Sequence, residues 1–145
     1  MKNIILPVDF SKTTNILVEA TIQFAKEVGG KIYLIHVDAT QEIVVDMSFE
    51  YSPEKEQQEY SEELVQLRNL EEQVNNAGVE CEHILLQGHP GAVILEYGKE
   101  KDAAYIVMGS HGRSGLYDVF IGSLTKELTR RSPFPVLVIP CHPEV

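Results

Sequence analysis

A chain of 145 residues, 43% hydrophobic and 23% charged, has the length and composition of one folded domain with a sizeable core. Its 22 acids against 12 bases leave a formal net charge of -10, which repels phosphodiester backbones; with no basic stripe to offset it, nucleic acid is excluded as an expected partner. Two distant cysteines, Cys81 and Cys141, argue for a reducing compartment rather than a disulfide scaffold, and no apolar run reaches signal or membrane length, so the expectation is a cytoplasmic protein with no membrane segment.

In chain order, apolar runs at residues 3–8, 31–37, 79–86, 104–108 and 135–139 alternate with helical patterns. Most are rich in β-branched residues and almost continuously hydrophobic, as strands buried on both faces of a parallel sheet should be. After the first run, Ile16, Ala20, Phe24 and Val28 recur at helical spacing, and Gly29-Gly30 supplies the stop. The connection at 38–51 is long and carries Ile43, Val44, Val45, Met47 and Phe49. It reads either as a lid beside the carboxyl edge of the sheet or as a packed excursion that shields the core.

Ser52-Pro53 then resembles an N-cap and first helical position. Tyr60, Leu64, Leu67, Leu70 and Val74 mark one face of that helix, and Gly78 its end. Its glutamates, from Glu50 through Glu72, read as a solvated face. A third helix is predicted from Pro90 to about Lys101, with Val93, Ile94 and Tyr97 inward. A fourth runs from Ser123 to about Arg131, whose Arg130-Arg131 pair suits the negative helix end. Strict alternation of strand and helix implies right-handed crossovers and an open α/β sheet. The last run, with Pro135 and Ile139 at its ends, is bracketed by prolines and reads as an edge strand. Nothing charged blunts it, so either a two-fold homodimer covers it with its own copy, or a helix or the C-terminal tail does.

One run carries chemistry. Gly109-Ser110-His111-Gly112, nine residues, then Gly122-Ser123 follows a buried strand and opens a helix. Glycine lets main-chain amides approach an anion closely, and a helix N-terminus points further amides at it, so the pattern reads as a phosphate cradle. The plainer alternative is that these glycines only shape a crossover loop. Ser123 has two compatible roles, capping the orphan amides of the empty helix and facing a bound phosphate.

The same residues resemble the universal stress protein family, whose ATP-binding members carry a G-x2-G-x9-G-[ST] signature after the fourth strand. The resemblance extends to Ile4-Ile5-Leu6-Pro7-Val8-Asp9-Phe10-Ser11, to Ile35-His36-Val37, and to the closing Ser132-Pro133-Phe134-Pro135-Val136-Leu137-Val138-Ile139-Pro140. It implies a single Rossmann-like domain over 1–145, an open parallel five-stranded sheet in the order 3-2-1-4-5 with helices on both faces. It also implies ATP contacts: Pro7, Val8 and Val37 around adenine, Asp9 near ribose and phosphates, and Met108 and Gly109 under the ribose. Gly112, Gly122, Ser123 and Leu124 then form the phosphate cradle, flanked by His111 and Arg113.

Alternatives stand beside several of these assignments. Asp9 suits a ribose hydroxyl or a Mg²⁺ ion, and equally a helix N-cap, a job open to Ser11 as well. His111 and Arg113 suit phosphates, and equally solvent. His36, His83, His89 and His142 show no zinc-ligand spacing. Ser110 and Ser114 lack the strand–G-x-S-x-G–helix elbow of an acyl-transfer nucleophile. The expected function is therefore an ATP-binding regulatory protein of the stress-response type. A slow ATPase and a nucleotide-free dimeric interaction scaffold remain as alternatives, with the downstream protein partner open.

Overall fold

The alternation of strand and helix folds into one doubly wound sheet. The structure is a computed structural model that describes residues 1–39, 53–110 and 122–141. In chain order it comprises β1 (Lys2–Pro7), α1 (Thr14–Val28), β2 (Gly30–Asp38), α2 (Pro53–Asn76), β3 (Cys81–Gln87), α3 (Pro90–Glu100), β4 (Tyr105–Gly109), α4 (Ser123–Arg131) and β5 (Val136–Ile139). The sheet order is β3-β2-β1-β4-β5, and every pairing is parallel. The predicted strands and helices agree with these bounds to within two residues wherever the chain is described.

The continuous apolar runs have a simple cause. Successive side chains of a strand point to opposite faces, and here both faces are covered. Ile4, Leu6, Ile32 and Leu34 pack with Leu17, Val18, Ile22 and Ala25 of α1 and with Leu67 and Val74 of α2. Ile5, Tyr33, Ile35, Ile106 and Met108 pack on the other face with Ile94 and Tyr97 of α3 and Leu128 of α4. Each fully buried Ile or Leu in these layers contributes roughly 1.5–3 kcal/mol. Helices α1 and α2 thus share one face and α3 and α4 the other. The winding reverses at β1, and the switch point falls between β1 and β4.

Three expectations need correction. The inward face of α1 is Thr14, Leu17, Val18, Thr21, Ile22 and Ala25, while Ile16 is exposed and Ala20, Phe24 and Val28 sit at its flank. The two stripes overlap in apolar character, and the placement of α1 against β1, β2 and β4 selects between them. In the stop, Gly29 alone is the cap, in the left-handed region at φ 70 with its N–H on Ala25 O, whereas Gly30 already opens β2. On α2, Leu67 and Val74 are buried as expected, but Tyr60 is exposed.

The acidic face of α2 is also not wholly solvated. Glu62 and Glu72 are exposed, but Glu63 and Glu71 turn toward the sheet. Glu63 Oε2 lies 3.5 Å from His36 Nε2 of β2, and Glu71 Oε2 lies 3.2 Å from His83 Nδ1 of β3. Eight residues make little more than two helical turns, so both carboxylates share one face and reach adjacent strands. Position 52, the expected N-cap of α2, and the connection from 40 to 51 lie outside the described residues.

The C-terminal edge

Among the described residues β5 pairs with β4 only, and all four of its residues are half-buried, as an edge strand should be. Cys81 and Cys141 are free and buried on the same layer. Burial, reinforced by the charge of Glu71, pushes the Cys81 thiol up to about 12. Burial also pushes the Cys141 thiol up, with a smaller contribution from Asp9.

Candidate functional site

The carboxyl ends of β1, β2 and β4 open into a cleft of about 840 Å³ at the switch point. Chain leaving β1 contributes Pro7, Val8 and Asp9, and the end of β2 contributes Val37 and Asp38. Met108 and Gly109 come from β4, and Gly122, Ser123, Leu124 and Thr125 from the start of α4. Residues separated by more than a hundred positions therefore meet in one concavity, because parallel strands present all their carboxyl ends on one edge. Of the site residues expected from the sequence, Pro7, Val8, Asp9, Val37, Met108, Gly109, Gly122, Ser123 and Leu124 all line it. His111, Gly112 and Arg113 lie outside the described residues.

The α4 end of the cleft is held by specific bonds. Gly122 is the N-cap, and Ser123 is the first helical residue with an exposed side chain. Among the described residues no side-chain hydrogen bond caps the helix, so the expected capping role of Ser123 does not hold. By helix geometry, the first-turn amides at Ser123, Leu124 and Thr125 have no acceptor within α4. The Gly122 N–H is spent on the Ser110 carbonyl at 2.8 Å. Thr125 is buried, and its hydroxyl donates to the Gly109 carbonyl at 2.8 Å, which ties α4 to the end of β4.

On the β1 side, the N-cap of α1 is Thr13, neither Asp9 nor Ser11. Asp9 Oδ1 accepts the Ser11 N–H at 3.0 Å, a turn that returns its own carboxylate to the loop. Between them Phe10 adopts φ 58, a conformation uncommon for a bulky side chain. Its ring lies 4.5 Å from that of His36. His36 is buried, with Nδ1 2.7 Å from the Val8 carbonyl. A carbonyl can only accept, so Nδ1 carries the proton and Nε2 faces Glu63.

Sequence reasoning missed this part of the wall: Thr13, His36, Glu63, Gln66 and Thr125 all border the cleft. The readable signal was the polar His36 inside the otherwise apolar Ile35-His36-Val37 run, since a polar residue on a doubly buried strand needs a partner. Among the described residues, no group of three or more His, Cys, Asp or Glu could hold a metal ion. No helix of the described residues is long and apolar enough to cross a membrane.

Comparison with known proteins agrees with this architecture. The family model of the universal stress protein family matches residues 1–140. Universal stress protein YxiE of Bacillus subtilis is 31% identical over 144 residues, covering 93% of this chain and 96% of that protein. The solved structure of protein MJ0577, a universal stress protein of Methanocaldococcus jannaschii, superposes with a TM-score of 0.82 at 28% identity, over 97% of this chain and 96% of that one. A universal stress protein from Archaeoglobus fulgidus, solved in complex with dAMP, shares the fold with a TM-score of 0.71 at 20% identity, over 96% and 98% of the two chains. With its five-stranded parallel sheet, its sequence and its closing strand all accounted for in this way, the chain belongs to the universal stress protein family.

Proposed function

We propose that the cleft is an adenine-nucleotide site, that the chain belongs to the ATP-binding subgroup of its family, and that occupancy serves as a regulatory signal. The observation that carries the reading is convergence. Residues expected from the glycine spacing and from the family resemblance, in four separate segments, border one cleft, and the start of α4 lies among them. In this reading the first-turn amides of α4 and the Gly109–Gly122 segment hold the phosphates, where the helix dipole favours negative charge. Pro7, Val8 and Val37 supply an apolar wall for adenine, and Met108 and Gly109 lie under the ribose. Gly112, His111 and Arg113 complete the cradle.

Asp9 is the carboxylate for the ribose hydroxyls or for Mg²⁺. The phosphates would supply further oxygen ligands to the ion. Regulation fits better than turnover, because Ser123 directly follows Gly122 where a Walker loop carries the lysine that steadies a γ-phosphate. The outer edge of β5, which no other described strand covers, supports a homodimer through that strand as the working assembly.

Native mass spectrometry of the protein as purified, followed by calorimetric titration with ATP, ADP and AMP, tests the reading. Co-purifying or titrating adenine nucleotide is expected, at one per chain. A chain that neither retains nor binds any of the three overturns it and leaves the interaction scaffold. Hydrolysis of bound ATP by the wild type above the level of Asp9→Ala would instead favour the slow ATPase.

A further inference from the structure

One residue beside the cleft makes more connections than the proposed ligand site requires. Ser110 follows Gly109 at the exit of β4, and its main chain and side chain bind three residues in two other segments. Its carbonyl accepts the Gly122 N–H at 2.8 Å, joining the two ends of the 111–121 segment. Its N–H donates to the Ile139 carbonyl at 2.9 Å, extending the β4–β5 ladder one step beyond the Gly109–Ile139 pair. Its hydroxyl oxygen accepts the Cys141 N–H at 3.0 Å.

The third bond has a sequence cause. Pro140 has no N–H, so Cys141 is the next residue after β5 with a donor to offer. The ladder has ended there, and the Ser110 hydroxyl supplies the acceptor. Cys141 is fully buried, packed in the layer that contains Leu6, Val8 and Val107, and close enough to Asp9 for that charge to act on its thiol. Cys141 is therefore seated in the layer that packs against the ends of β1 and β4. Moving Ser110 disturbs the start of α4 and the seat of Cys141 together.

We propose that Ser110 is a positioning residue that locks the start of α4 to the chain after β5, so that a nucleotide in the cleft holds Cys141 in its buried seat. The ligand half of this statement rests on the nucleotide reading; the lock itself does not. The coupling gives occupancy an outlet at the C-terminal edge. Its energetic form is simple linkage: a ligand that binds only the locked state suppresses opening by the factor 1 + [L]/Kd.

The test is alkylation of native protein by iodoacetamide, with the rate at each cysteine read by peptide mass spectrometry. Cys81 is buried in the same layer and reports global unfolding. Without ligand, Ser110→Ala is expected to speed alkylation of Cys141 about tenfold, the scale of one lost hydrogen bond, with the Cys81 rate unchanged. Ser110→Thr, which keeps the hydroxyl, is expected to return Cys141 toward the wild-type rate. ATP at a hundredfold excess over its calorimetric Kd is expected to slow Cys141 about a hundredfold in the wild type. In Ser110→Ala that protection is expected to be mostly lost.

A Ser110→Ala protein with wild-type alkylation of Cys141, or with equal acceleration at both cysteines, overturns the lock. Equal protection of both cysteines by ATP overturns the coupling. An ATP titration with no heat and no retained nucleotide overturns the nucleotide reading, while the ligand-free arm still decides the lock.

Discussion

Replacing Thr125 by valine is the most direct probe of how the cleft is built. The side chain is 3% exposed, and its hydroxyl donates to the Gly109 carbonyl at 2.8 Å, where α4 meets the end of β4. Valine keeps the shape and removes only the donor. The loss of a net hydrogen bond is about 0.5–1.5 kcal/mol, and a carbonyl left without that partner adds to it, so a total of about 2 kcal/mol is expected. For a chain of this length that corresponds to a fall in Tm of about 6 °C. Thr125→Ser keeps the donor and loses one methyl group, which costs about 1 kcal/mol. Urea denaturation of the three proteins gives the comparison, and ATP titration on the same samples adds the functional half. Thr125→Val is expected to bind ATP more weakly as well, because the first turn of α4 is no longer pinned to β4. A valine variant at least as stable as the serine variant would refute the reasoning.

Three further outcomes are expected. Gly122→Val places a β-branched side chain at the N-cap facing the cleft and should weaken ATP binding at least tenfold while the circular dichroism spectrum stays native; unchanged affinity would count against the phosphate cradle. His36→Asn preserves a donor for the Val8 carbonyl and should remain close to wild type in stability, whereas His36→Leu leaves that carbonyl without it and should cost about 1–3 kcal/mol in urea denaturation. Burial, aided by the neighbouring Tyr33 phenol, pushes the Tyr97 phenol up to about 12. A group whose pKa is raised by folding gives stability that is complete below its unfolded value of about 10 and lost as the pH climbs toward the folded one. Denaturation between pH 9 and 12 should therefore show an alkaline loss of stability that is smaller in Tyr97→Phe, and equal slopes for the two proteins would contradict this.

How much of the site was legible depended on whether the information was local. The spacing of Gly109, Gly112, Gly122 and Ser123 can be read because a loop and a helix start are short-range features with demands on particular positions. The bordering residues Pro7, Val8, Asp9 and Val37 followed from a family pattern at the carboxyl ends of strands. The His36–Glu63 contact was not legible, since its partners are 27 positions apart in sequence and meet only once α2 has settled on the sheet. The same holds for the bond from Thr125 to Gly109. It also holds for Ser123, whose expected cap role fell to Gly122, because a cap is defined by backbone angles that letters do not carry.

By itself, the amino-acid order determined the number and type of elements, since apolar periodicity and glycine or proline stops act within a few residues of themselves. It also determined the family and, through it, the strand order. Tertiary structure alone decided which face of α1 is buried, which glutamates of α2 turn inward, and that Ser110 joins Gly122, Ile139 and Cys141. Those choices depend on helix placement and on bonds between distant segments, and such bonds exist only after the sheet has brought their partners to one edge.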